Sequence, residues 1–186
     1  MNFSQFYQLN SFNSDSPSDK GTTHDYIDGY YSDVFTPVKD KEINLLEIGI
    51  FKGQSLRLFK EWFTNGKIFG VDDGGYVDSN SFKIEGVSLF WGDGYNNDML
   101  SLFKDNYFDF IIDDGPHTLE SQIWALIHWS KKLKPGGKLI IEDIQSINHV
   151  VYLERIVDIN LFTFNSFDLR ANKNRYDDII FEVTKK

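Results

Sequence analysis

A chain of 186 residues, 41% hydrophobic and 16% aromatic, can fill one core and is too apolar to be disordered. Its formal charge of −9 disfavours nucleic acid and anionic membrane as partners, and the absence of cysteine excludes disulfides, thiolate metal sites and cysteine nucleophiles. No apolar run approaches the ~20 residues that span a bilayer, and Met1–Asn10 lacks a signal-peptide pattern, so the cytoplasm is the expected location.

Residues 1–40 are polar and turn-rich, with Ser, Asp, Asn and Gly clustered around 11–25. Tyr26, Tyr30 and Asp33 share a face at helical spacing. The segment reads as a loose N-terminal arm or lid ending in a short docking helix, followed by the main domain over 41–186. From there short apolar runs alternate with amphipathic stretches. Runs at 44–50, 67–73, 87–93, 108–114 and 137–143 read as strands. Helices are expected at 55–63, 97–103, 118–131 (with Thr118 as N-cap) and around 149–159. The tract Gly74–Glu85 reads as a loop in place of a helix. Two β-rich segments, 161–169 and 178–183, close the chain.

Strand–helix alternation implies βαβ units, and continuous rather than alternating apolar runs imply strands covered on both faces. The expected fold is α/β and Rossmann-like: a mostly parallel seven-stranded sheet, an antiparallel C-terminal hairpin at one edge, and helices on both faces.

Five motifs lie at the carboxyl ends of these strands or between them. Glu47-Ile-Gly-Ile-Phe-Lys-Gly53 is a strand running through a glycine turn into a helix; Gly49 and Gly53 permit close backbone approach by a ligand near a helix N-terminus. Its G-x-x-x-G spacing differs from the dinucleotide fingerprint. Asp72 ends the second strand, where a carboxylate can accept from both hydroxyls of a ribose; Asp73 is the neighbouring alternative. Gly92-Asp93-Gly94 ends the third and can hold an adenine edge. Asp113-Asp114-Gly115-Pro116-His117 follows the fourth strand, and Glu142-Asp143 follows the fifth. Adjacent parallel strands bring these four carboxylates together, and like charges at ~4 Å cost several kcal/mol at intermediate dielectric. Either some are protonated or a cation neutralises them; oxygen ligands suit Mg²⁺, Mn²⁺ or Ca²⁺. Asp114, Glu142 and Asp143 are the expected ligands, with Asp113 turned to the nucleoside or serving as the alternate ligand. His117 is placed to take a proton from a metal-bound hydroxyl. His24, His128 and His149 lack that context. Leu133-Lys-Pro-Gly-Gly137 fits a type II turn and is a connector.

Taken in order, Asp19-Lys20-Gly21 with His24 and Tyr26, LLEIGIFKGQSL, IFGVDD, WGD, IIDDGPH, LKPGG and IIED resemble class I S-adenosylmethionine-dependent methyltransferases. More narrowly, the chain resembles the macrocin O-methyltransferase family, and Arg170, Arg175 and Asp177-Asp178 match a family-like turn near the end. The resemblance implies S-adenosylmethionine in the cleft, contacted by Glu47, Gly49, Gly53, Ser55, Asp72, Asp93, Gly94 and Asp113, with Lys20 and Tyr26 of the arm closing over it. It implies Mg²⁺ on Asp114, Glu142 and Asp143, His117 with Asp114 as the catalytic pair, and a small-molecule hydroxyl acceptor, on a sugar or polyol. Pro116 departs from the family's small polar residue. The short chain leaves acceptor size and homo-oligomerisation open. The alternatives are a metal-independent N- or carboxyl-methyltransferase, a non-catalytic nucleotide-binding Rossmann domain, and a dehydrogenase that the glycine spacing fits badly.

Overall fold

A computed structural model describes residues 1–11 and 17–186; the turn-rich tract around 11–25 falls partly outside them. The seven strands are β1 (Asn44–Ile48), β2 (Lys67–Asp72), β3 (Val87–Trp91), β4 (Phe108–Asp113), β5 (Leu133–Ile141), β6 (Phe162–Asp168) and β7 (Ile179–Lys185). They form one sheet in the order β3-β2-β1-β4-β5-β7-β6. The first five are parallel, and β7 runs antiparallel between β5 and β6. The expected mixed sheet and terminal hairpin are both present.

Order reverses between β1 and β4, so the crevice at their carboxyl ends is the natural ligand site of such a sheet. Register sharpens this: Ile48 pairs with both Val71 and Asp113, and Asp113 pairs with Ile141. The residues just past those four positions therefore leave the sheet side by side.

Each sheet face carries its own core. On one face α4 (Gln54–Trp62) buries Leu56, Phe59 and Trp62. On the other, α6 (Leu119–His128), capped by Thr118 Oγ1 accepting from the Ser121 N–H at 3.1 Å, buries Ala125 and Leu126 with Trp129, Phe103 and Phe108. The Gly74–Glu85 tract carries no helix, as expected.

The Leu133–Gly137 connector is corrected: it is continuous with β5, which bulges between the pairs Phe108–Leu133 and Phe110–Lys138. Gly136, at φ +79°, supplies the turn conformation inside that bulge.

The N-terminal segment is not loose where it is described. Helix α1 (Phe3–Ser11) buries Phe3 completely, its ring edge-on to Phe35 at 5.3 Å and Trp62 at 5.2 Å. A single π-helical turn, Ile27–Tyr31, then runs into α3 (Ser32–Phe35). The wider turn buries Tyr30 and Tyr31 together and leaves Asp33 exposed, so Asp33 does not share the tyrosine face. The arm is one wall of the first core.

Candidate active site

A cleft of about 800 Å³ opens at the crevice, within the size range of small-molecule sites. Its walls include Gly49, Ser55, Asp72, Asp73, Asp93, Gly94, Asp114, His117 and Asp143. Pro17, Asp19, Phe51, Gln54, Tyr76 and Tyr95 also line it; the sequence carried Asp19, Phe51 and Gln54 only inside longer motifs and did not mark Pro17, Tyr76 or Tyr95.

The β1–α4 turn is built by its glycines. Gly49 sits at φ +84°, and a Cβ there would collide with the carbonyl of Asp114. Asp72 anchors the same turn: its Oδ2 accepts from the Ile50 N–H at 2.8 Å and the Phe51 N–H at 3.2 Å, and its Oδ1 accepts from Gly74 at 2.7 Å. The Asp72 carboxylate is thus fixed at the cleft from two loops.

Five of the residues expected at the cofactor stand behind the wall rather than on it. Glu47 is fully buried and accepts from Ser55 Oγ at 2.5 Å. Asp113 accepts from the Tyr95 hydroxyl, which fixes the tyrosine ring in the wall. Gly53, at φ +76°, is the N-cap of α4. Lys20 and Tyr26 are 1% exposed and do not line the cleft.

Lys20 is instead the positive charge that the converging acids require. Its ammonium lies 2.6 Å from Asp114, 3.3 Å from Glu47 and in direct contact with Glu142. Burial alone would lower its pKa; Asp114, Glu142 and Glu47 outweigh burial and hold it well above the usual lysine value. Burial raises Glu47 to about 7. Asp114 goes the other way: against the cost of burial, Lys20 and His117 hold it at about 2. Glu142 has a donor on each oxygen, Lys20 on one and the Tyr31 hydroxyl at 2.5 Å on the other.

That leaves Asp114, His117 and Asp143 as the group facing the cleft. Their ligand atoms lie within 4.8 Å of one another. His117 Nε2 is 3.2 Å from Asp114 Oδ1 and 3.4 Å from Asp143 Oδ2. Burial works to lower the imidazole, but the hydrogen bond to Asp114 and the charge of Asp143 keep it above the ordinary histidine value. Tyr26 donates to Asp143 Oδ1 at 2.6 Å and sets that carboxylate from behind. Burial and Asp114 together push Asp143 up.

Backbone strain concentrates here. Among the described residues, five non-glycine positions have positive φ, and three of them line the cleft: Phe51 at +46°, His117 at +57° and Asp143 at +52°. Such conformations persist where the surrounding structure over-determines them, commonly at functional sites.

His24 is the residue the sequence undervalued. It is buried, its Nδ1 2.5 Å from Asp178 Oδ1 and 3.4 Å from Asp143 Oδ1, and its ring stacks on Tyr26 at 4.9 Å. Two further arm tyrosines end on acids, Tyr31 on Glu142 and Tyr30 on Glu182 at 2.5 Å. The recurring aromatics were visible in the sequence; their acidic partners more than a hundred residues away were not.

Sheet order, crevice and glycine turn together define a class I methyltransferase fold. The chain belongs to the methyltransferase-domain family, which matches residues 46–144. Among curated relatives it is 30% identical over 138 residues to the 8-demethyl-8-alpha-L-rhamnosyl tetracenomycin-C 2'-O-methyltransferase of Streptomyces olivaceus, covering 69% of this chain and 35% of that one. It is 29% identical over 133 residues to the demethylmacrocin O-methyltransferase of Streptomyces fradiae, covering 67% and 33%. The chain thus spans about a third of the length of these relatives. Among solved structures, the MycE methyltransferase of the mycinamycin pathway, in complex with Mg and SAH, superposes with a TM-score of 0.74 at 19% identity, covering 100% of this chain and 55% of that one.

Proposed function

We propose that the chain transfers the methyl group of S-adenosylmethionine to a hydroxyl of a small molecule, on a sugar or polyol, with His117 taking the hydroxyl proton. The observation that carries this reading is the seat of His117: a strained histidine at the cleft, its Nε2 between Asp114 and Asp143. Both relatives are named as O-methyltransferases, one of them acting at the 2' position of an alpha-L-rhamnosyl tetracenomycin, which supports the acceptor class.

Methyl transfer breaks the sulfonium S–CH₃ bond as an O–CH₃ bond forms. Sulfur leaves with the electron pair as a neutral thioether, and the hydroxyl proton is taken up by the Asp114–His117 pair. The methyl donor is already activated, so the protein's task is in-line alignment and proton management. Asp72, held by two loops, offers carboxylate oxygens to a ribose. The Gly49 turn admits the methyl donor's backbone-facing edge, and Tyr95 walls the side next to Asp93 and Gly94.

The residues present fit a hard divalent cation of the Mg²⁺ type. Asp114 and Asp143 both bring carboxylate oxygens to the cleft, within 4.8 Å of each other. Glu142, expected as a third ligand, is buried behind the cleft rather than lining it, so Asp114 and Asp143 are the ion-facing pair. When bound, such a cation lowers the pKa of a coordinated hydroxyl.

The test is methyl transfer from labelled S-adenosylmethionine across a panel of sugar nucleotides, glycosides and polyols, read by mass spectrometry with and without EDTA. His117→Ala is expected to lower turnover by ~10²–10⁴-fold while S-adenosylmethionine affinity by calorimetry stays within about twofold. Undiminished transfer in excess EDTA, or by the His117 variant, would overturn the reading.

A further inference from the structure

A second cluster lies on the far side of Asp143 from His117. We propose that His24, Asp177 and Asp178 form a separate buried cation site that takes a divalent transition metal of the Zn²⁺ or Mn²⁺ type and staples the N-terminal arm to the start of β7.

Each of the three residues offers one ligand atom, and these atoms lie within 4.8 Å of one another. All three residues are more than nine-tenths buried, at 6%, 6% and 0% exposure. Their oxygens are only half used. Asp178 Oδ1 pairs with His24 Nδ1, and Asp177 Oδ2 accepts from Arg175 Nη2 at 3.2 Å. Among the described residues, Asp177 Oδ1 and Asp178 Oδ2 are buried without a hydrogen-bond partner. A buried carboxylate oxygen left unsatisfied forfeits its hydration with no return, and a cation satisfies both at once.

Charge points the same way. Two carboxylates, Asp177 and Asp178, face the single guanidinium of Arg175, so negative charge is in excess wherever His24 serves as a neutral ligand. One imidazole nitrogen with carboxylate oxygens favours Zn²⁺ or Mn²⁺ over Mg²⁺ or Ca²⁺, which take all-oxygen sets. The stacking of Tyr26 on His24 fixes the ring plane, as ligand histidines require.

The experiment uses the full chain carrying Asp114→Asn, which disables the cleft group while leaving this cluster intact. Protein stripped with chelator is reloaded with ZnSO₄, dialysed and analysed by inductively coupled plasma mass spectrometry, with thermal melting in parallel. One zinc per chain is expected to remain, with Tm raised by roughly 5–10 °C at 100 times Kd. Adding Asp178→Asn, which preserves shape, should abolish both the retained zinc and the shift. With MnCl₂ instead, pulsed EPR should show ¹⁴N coupling that persists in His117→Ala and vanishes in His24→Gln. No retained ion in the Asp114→Asn chain, or retention unchanged by Asp178→Asn and His24→Gln, would overturn the site. Either failure leaves the EDTA and His117 tests of methyl transfer untouched.

Discussion

Lys20 decides the electrostatics of the site. The sequence showed that acids after two adjacent strands must meet and must be neutralised; it did not show by what. No spacing rule links a lysine ahead of the first strand to Glu142, a partner 122 positions away. Removing this ammonium strands Glu47, Asp114 and Glu142 together, and breaking a buried pair costs ~3–5 kcal/mol. Lys20→Met should lose about that much stability in urea denaturation of metal-free protein; a loss under about 1 kcal/mol would mean that the acids are neutralised otherwise. His117 offers a second residue-level test. Asp114 and Asp143 hold its imidazole above the ordinary value against the effect of burial. An NMR titration should therefore show a raised pKa in metal-free protein and a fall on adding Mg²⁺, as the ion screens both carboxylates. A midpoint indifferent to Mg²⁺ would separate His117 from the ion.

The elements were legible where physics is local. Continuous apolar runs gave the parallel strands, and the short polar link between the last two gave the hairpin, although that link holds one helical turn, Arg170–Lys173. Less legible were features set by distant partners: the π-turn that buries Tyr30 and Tyr31, the β5 bulge, and α1 in the core. The glycine turn was readable, but its reason is tertiary, since Gly49 lies against the Asp114 carbonyl. Gly49→Ala combines a positive-φ penalty with that collision, so a loss of ~1–3 kcal/mol is expected together with at least tenfold weaker S-adenosylmethionine binding. Calorimetry reads the affinity, and unchanged binding would detach the turn from the ligand. For α1, Phe3→Ala should cost ~3–5 kcal/mol, the usual loss for an aromatic removed from a core.

Over the whole molecule, buried acids set the response to pH. Burial raises Glu47 and Asp113 to about 7, so the folded state holds their protons more tightly than the unfolded chain. Their contribution is fully present below the unfolded values near 4 and is lost as pH rises through about 7. Asp114, held at about 2, contributes above its unfolded value and loses that contribution as pH falls toward 2. Metal-free protein should thus melt highest in mildly acidic buffer and lower at pH 8, and a Tm that climbs steadily from pH 5 to 8.5 would contradict this assignment.

The docking of the arm also bears on how the chain is made. Tyr30 closes on Glu182 and His24 on Asp178, contacts spanning 152 and 154 positions. The arm leaves the ribosome well before these acidic partners. Until β7 is out, Tyr30 and His24 lack their acidic partners, while Lys20 and Tyr31 can already reach Glu142. Folding of this unit should therefore complete only once β7 has emerged, at the slow rate that long sequence separations impose.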